Sequence, residues 1–179
     1  MITSRKFNAL ILLALVGLLA AAKPQPPATA DDIQVFFSPK GGCTDAIVKE
    51  IGSAKTELKV QAYSFTSPSI AEAIAKAYAR GVRTTVILDD SNDTAKYTGA
   101  TYLVNHGVPT FIDAKHAIAH NKIMIIDGAT VITGSFNFTE AAEKSNAENL
   151  LILHRPDVAQ KYLANFDVHL KHSDAYRRQ

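Results

Sequence analysis

The stretch from His120 to Asn137 limits what this chain can fold into more than any other part of it. His120-Asn121-Lys122-Ile123-Met124-Ile125-Ile126-Asp127 is apolar and β-branched after its first residues and is bounded by Gly128, so it reads as a mostly buried strand. Asp127-Gly128-Ala129 is a hairpin-type connection to a second short strand, Thr130-Val131-Ile132-Thr133. Polar residues punctuate this hairpin at fixed offsets, H-x-K-x4-D-x6-G-S-x-N. With each residue type at about 5 %, three such positions would arise by chance in roughly 2 % of chains this long, and all six in a few per million.

The spacing carries chemistry. Successive side chains of a strand point to opposite faces, which places His120 and Lys122 on one face about 7 Å apart and gives Asp127 the other parity. Asp127 is therefore expected to be a structural carboxylate at the strand end. Gly134-Ser135-Phe136-Asn137 follows the second strand; glycine lets backbone N–H groups approach an anion, and Ser135 and Asn137 can donate hydrogen bonds. An imidazole, an ammonium and a carboxamide held together can attack a phosphate ester and stabilise the charge that develops. An ordinary strand histidine beside a surface lysine would leave Gly134, Ser135 and Asn137 as coincidences.

At these residues the chain resembles the phospholipase D superfamily, whose signature is H-x-K-x4-D followed by G-S-x-N. Val60-Gln61-Ala62-Tyr63-Ser64-Phe65-Thr66 and Val82 to Asp90 look like the superfamily's early strands. Within it, a short secreted chain with one motif is most similar to small bacterial periplasmic endonucleases that work without a metal. The resemblance implies that His120 is the nucleophile of a phosphohistidine intermediate, and that Lys122 and Asn137, with Ser135 beside them, hold phosphate oxygens. Glu148, in Asn146-Ala147-Glu148-Asn149, would orient His120. It implies no metal and no other cofactor, and a homodimer in which two copies of the motif form one shared active site.

A nuclease needs a groove that accepts a phosphate backbone regardless of base, whereas a phospholipase needs an apolar entrance for acyl chains. Between residues 31 and 179 there is no long exposed apolar segment and no amphipathic basic helix suited to a lipid surface. The expected substrate is accordingly DNA, with RNA as a further candidate, cut without sequence specificity. Hydrolysis of phospholipid head groups is the alternative, and a non-catalytic nucleic-acid-binding module a more distant one.

Residues 1–22 have a basic start, an apolar run from Ala9 to Leu19 and an Ala20-Ala21-Ala22 cleavage site, the pattern of a secretory signal peptide. The run is short for a membrane span, so no stable membrane association is expected after cleavage, and the destination is periplasmic or extracellular. Residues 23–30, with Pro24, Pro26 and Pro27, form a leader, and residues 31–179 are long enough for one sizeable core. Without Arg5 and Lys6 the 19 basic residues become 17 against 17 acidic, so global charge gives no support to nucleic-acid binding and any basic surface must be local. Cys43 stands alone, cannot form an internal disulfide, and is expected to be a buried thiol near the start of the first helix.

Strands are expected at 33–37, 57–65, 83–88, 108–112 and 147–153, with helices at 42–54, 68–80 and 157–171 and helical turns between Asn92 and His106 broken at Gly99. That alternation predicts an α/β fold, a mixed sheet flanked by helices on both faces. Asp89-Asp90-Ser91-Asn92-Asp93 follows a buried strand and could hold Mg²⁺, but a turn and helix cap explains the same residues better. His169-Leu170-Lys171 repeats H-x-K on a helix, where i and i+2 diverge. Lys115 and His116 lie in the loop before His120, and His106, His154 and His172 lack metal-ligand spacing.

Overall fold

The computed structural model describes residues 32–94 and 99–177; the expected signal peptide and leader lie outside the described residues. Three parallel strands, β2 (Glu57–Ala62), β3 (Arg83–Asp89) and β4 (Thr110–Asp113), are joined by crossovers through α2 (Pro68–Ala79) and through the short α3 (Ser91–Thr94) and α4 (Gly99–Asn105). The motif hairpin, β5 (Lys122–Ile126) and β6 (Thr130–Gly134), pairs antiparallel to β2 through β5. The sheet is extended on that side by β7 (Glu148–His154) and β1 (Ile33–Ser38), and on the other by β8 (Asp174–Ala175). The described strands form one mixed sheet in the order β1-β7-β6-β5-β2-β3-β4-β8.

Both faces of the sheet centre are covered, so β5 is buried at every residue and shows no polar alternation. Met124 and Ile126 point into the larger core, under α1 (Cys43–Ser53), α2, α4 and α5 (Glu140–Lys144). Ile123 and Ile125 point the other way, under α6 (Pro156–Leu170), whose Ala159, Tyr162, Leu163, Phe166 and Leu170 form the apolar stripe of a helix packed on one side. The expected α/β fold with helices on both faces is the observed one.

Four differences from the sequence expectation have physical causes. β2 ends at Ala62 rather than Phe65, because the chain then bends and Phe65 makes a lone bridge to Phe138. β4 begins after Pro109, which has no N–H to give to a ladder. α5 is too short to show a helical period; Thr139 Oγ1 caps it by accepting from Ala142 N at 3.1 Å, and its Glu143 accepts in turn from the N–H groups of Gly42 and Thr44 at the start of α1. β8 has only two exposed residues and is held by pairing with β4, not by its own pattern. Cys43 is fully buried at the start of α1, and burial, with the Glu143 carboxylate beside it, pushes its thiol up to about 11, so it stays neutral.

The β5–β6 turn is built on two consecutive left-handed residues, Asp127 (φ 53°) and Gly128 (φ 63°), the conformation that Asp-Gly favours. The Asp127 carboxylate turns back onto the start of β2. It accepts from the backbone N–H groups of Lys55, Thr56 and Glu57 and from the Thr56 hydroxyl at 2.8–3.3 Å. Burial alone would raise its pKa, but these donors hold it below the ordinary carboxylate range. Replacing Asp127 with Asn should cost about 1–3 kcal/mol in urea unfolding at neutral pH, since a charged acceptor of several bonds is lost. A carboxylate with a depressed folded pKa contributes stability above its unfolded value of about 3.9 and loses it as pH falls through the folded value. The gap between wild type and Asp127→Asn should therefore shrink in urea titrations repeated at about pH 3. An unchanged gap would refute the clamp.

Candidate active site

A pocket of about 650 Å³ opens where β6 ends and β5 and β7 begin, on the sheet edge that also carries the carboxyl ends of the parallel strands β2, β3 and β4. That edge is where open α/β sheets usually receive ligands. His120, Lys122, Gly134, Ser135, Asn137 and Glu148 all line it. Asp127 does not; it sits at the opposite end of β5, as its parity implied.

His120 is exposed and lies two residues ahead of β5, not within the strand as the spacing predicted. The chain there is held by side contacts instead. Ala119 N donates to the buried Asp89 carboxylate at 2.7 Å, and Tyr63 N donates to Asn121 O at 2.9 Å. The Tyr63 ring packs on the imidazole, centroids 4.6 Å apart. Asp89 also accepts from Ser91 N and Oγ, which makes it a turn and loop tie.

Lys122 is 7 % exposed, and its Nζ donates to the His120 carbonyl at 2.8 Å while standing 5.0 Å from the centre of the Tyr63 ring. Burial pulls its pKa below the ordinary lysine value, opposed by the carboxylates of Glu148 and Asp89. Among the described residues no carboxylate comes within ion-pair distance of it. An ammonium has three N–H donors, so the donors not spent on His120 are free to face the pocket.

The G-S-x-N segment works by alternation. Phe136 and Phe138 are fully buried in the larger core, Phe138 edge-on to Phe65 with its carbonyl accepting from Thr66 and Ser67 N–H, and this turns Ser135 and Asn137 toward the pocket. Asn137 Oδ1 is buried without a hydrogen-bond partner. Ser135 Oγ accepts from Asn149 N at 3.1 Å, which leaves its own proton to donate. The backbone N–H groups of Ser135 and Phe136 are both spent on Asn149 O. The expectation that glycine exposes backbone donors to an anion is therefore corrected: the cradle is made of side chains. Gly134 serves a different need. Its φ is 146°, and a Cβ there would collide with the Asn149 carbonyl.

Glu148 opens β7 and its Oε1 accepts from Asn146 Nδ2 at 3.2 Å; in the single chain it shares the pocket with His120 but makes no hydrogen bond to the ring. Tyr162 of α6 and Tyr63, just past β2, belong to the site's surroundings, and neither carries a sequence signal, because a lone aromatic gives no sign of what it faces. Lys115 is exposed on the loop before the site, and His116 turns away toward His169 and His172.

Comparison with known proteins places this geometry in a family. The model of the family described as "Cardiolipin synthase, PLD-like domain" matches residues 47–170. The chain is 41 % identical over 134 residues to the phospholipase D of Rickettsia conorii, covering 75 % of this chain and 67 % of that one. It is 32 % identical over 114 residues to the mitochondrial cardiolipin hydrolase of Xenopus tropicalis, covering 64 % and 54 %. In three dimensions it is similar to Nuc of Salmonella typhimurium, a phospholipase D family member, with a TM-score of 0.78 at 37 % identity over 82 % of this chain and 98 % of that one.

The cradle depends on the close approach of β6 to β7. Gly134→Ala should therefore cost about 1–3 kcal/mol, through the strained φ and the collision with Asn149, and should disorder the adjacent Ser135 and Asn137. Denaturant midpoints, with backbone amide exchange at Ser135 and Phe136, would measure it; unchanged protection at both amides would show that the approach is not tight.

Proposed function

The chain belongs to the phospholipase D superfamily and is a phosphodiester hydrolase of that superfamily, and we propose that it is a non-specific endonuclease that hydrolyses DNA. In the first step a neutral His120 nitrogen attacks phosphorus, the bond to the leaving oxygen breaks, and a second imidazole gives that oxygen a proton. Water then attacks phosphorus and breaks the P–N bond while the second imidazole, now neutral, takes its proton, which restores both histidines. Lys122, Asn137 and Ser135 stabilise the non-bridging oxygens in both steps, and Glu148 is the carboxylate that steadies the imidazole.

The observation that carries this reading is the desolvated Lys122 ammonium, without an ion-pair partner among the described residues, in one pocket with the exposed His120 and the Asn137 carboxamide. Buried charges and polar atoms are normally paired. A pocket that leaves an ammonium open in this way is shaped for an anion that brings acceptor oxygens, with the Asn137 amide N–H groups as further donors. Signal-peptide cleavage and release to the periplasm or the medium complete the reading. Among the described residues no helix is long and apolar enough to cross a membrane. Head-group hydrolysis of a phospholipid is the second reading, favoured by the names of the Rickettsia and Xenopus relatives.

The second imidazole comes, in this proposal, from a second copy of the chain. Acid and base roles fall to different groups held in different protonation states, and one chain brings one motif. The edge strand β1 exposes Ile33, Val35 and Phe37 on one face, and its end lies beside Glu148, whose N–H donates to Ser38 Oγ at 3.2 Å. An exposed apolar edge strand is normally covered, and a two-fold contact across this region would bring two pockets together.

Turnover of plasmid DNA should persist in EDTA and exceed release of head groups from phosphatidylcholine or cardiolipin vesicles. His120→Ala should lower it by about 10³-fold or more and Lys122→Ala by about 10²–10³-fold. Dependence on added Mg²⁺, or preference for vesicles, would overturn the reading. When wild-type and His120→Ala subunits are mixed, a composite site requires activity to fall roughly as the square of the wild-type fraction. A linear fall, or a monomer in light scattering under assay conditions, would show that one chain suffices.

A further inference from the structure

A second cluster of chemically able side chains lies on the same sheet edge, outside the pocket. Asp113, the last residue of β4, is fully buried. Three imidazoles converge on its carboxylate: His169 Nδ1 lies 2.6 Å from Oδ2, His172 Nε2 3.2 Å from Oδ1, and His116 Nε2 3.9 Å from Oδ2. The three rings stand 5.1–5.3 Å apart, centre to centre, and one donor atom from each of the four residues lies within 4.8 Å of all the others. Lys115 N donates to Asp113 Oδ1 at 3.1 Å and steadies the carboxylate from the backbone side.

We propose that Asp113, His116, His169 and His172 form a structural site for a zinc-type divalent ion that clips the loop leading to His120 onto the end of α6. Three imidazole nitrogens and one carboxylate oxygen form a donor set suited to zinc and its transition-metal neighbours, not to Mg²⁺ or Ca²⁺, which take oxygen ligands. Tetrahedral coordination at the usual Zn–N length of about 2.0–2.1 Å sets donor atoms about 3.3 Å apart. The present separations straddle that value, and His116, whose side chain is 45 % exposed, has the room to move inward.

Hydrogen bonding alone accounts for the cluster less well. His172 Nε2 is buried and, despite its nearness to the carboxylate, has no hydrogen-bond partner. An ion held between the three rings and the carboxylate would give this nitrogen a partner. The ligands come as two i,i+3 pairs, Asp113 with His116 and His169 with His172, and the separation of the pairs in sequence means the ion would close a long loop, the arrangement in which such a clip restricts the unfolded chain most. Binding needs the imidazole nitrogens unprotonated at the metal, so the proton now in the His169–Asp113 hydrogen bond moves to the other ring nitrogen or to solvent. None of the four residues lines the pocket, so the ion takes no part in phosphoryl transfer.

The test uses the untagged chain, since an oligohistidine tag would bind the same metals. After the metal is stripped, the protein is titrated with ZnCl₂ against a chromophoric chelator, and with CoCl₂ while the visible absorption is recorded. The expected result is about one Zn²⁺ per chain, a cobalt spectrum of tetrahedral type, and an affinity weakened about tenfold or more by either His116→Ala or His172→Gln. His120→Ala should bind zinc as the wild type does. Zinc should raise the melting temperature of the wild type and leave that of His172→Gln in place, which distinguishes a bound ion from a folding defect in the variant. Absence of stoichiometric zinc binding by the wild type would overturn the proposal. So would binding that survives both cluster variants, or binding lost in His120→Ala, which would move the ion to the pocket.

Discussion

The register of β2 against β5 is the constraint on which the pocket depends. It is set at both ends. Asp127 binds Lys55, Thr56 and Glu57, at the entry to β2, through four donors, and Tyr63 N–H reaches Asn121 O just past the strand's last residue. Between them Ala62 lies opposite Lys122. A slip of one residue would exchange the two faces of β5. Lys122 would leave the pocket side, and Met124 and Ile126 would leave the larger core. The aspartate of the motif thus acts from the far end of the strand, by deciding where the lysine falls.

Packing then converts register into position. Two buried phenylalanines, Phe136 and Phe138, straddle Asn137, so the carboxamide is aimed by its neighbours' burial and not by a bond of its own. Lys122 follows the same logic: its side chain is buried, and its ammonium lies over the Tyr63 ring and is held by a carbonyl, which fixes it without neutralising it. Charge in a low-dielectric setting acts more strongly on an incoming anion than the same charge in water. The unfavourable burial of the ammonium is sustained by the sheet around it, and it disposes the pocket toward an anion.

The hairpin, the mixed α/β sheet, both main helical layers and the six motif positions were legible in the sequence, because each is written in local periodicity or in fixed spacing. The placement of His120 was not. Its segment reads as strand, yet the ladder starts at Lys122, and the residues before it are tied by Asp89, at the end of β3, and Tyr63, just past β2, both distant in sequence. The spent N–H groups of Ser135 and Phe136 were equally hidden, since they depend on where Asn149 arrives. The Asp113 cluster was not expected, since D-x-x-H and H-x-x-H pairs are each commonplace and carry no metal-ligand signature by themselves. Only the docking of α6 beneath β4 and β5 makes them one group.

Both clusters sit on one sheet edge and border one loop, and their chemistries are complementary. The loop between β4 and β5 has to present an exposed imidazole, so it cannot be fixed by burying its tip. It is fixed at its two roots instead: Asp89 holds Ala119 at one end, and Asp113 gathers His116 at the other. A carboxylate at the end of a parallel strand performs each task, β3 for the first and β4 for the second. In the proposed scheme the metal belongs to the second root, where rigidity is needed. The reacting centre relies on a desolvated lysine, whose charge stays in place while phosphate oxygens enter and leave.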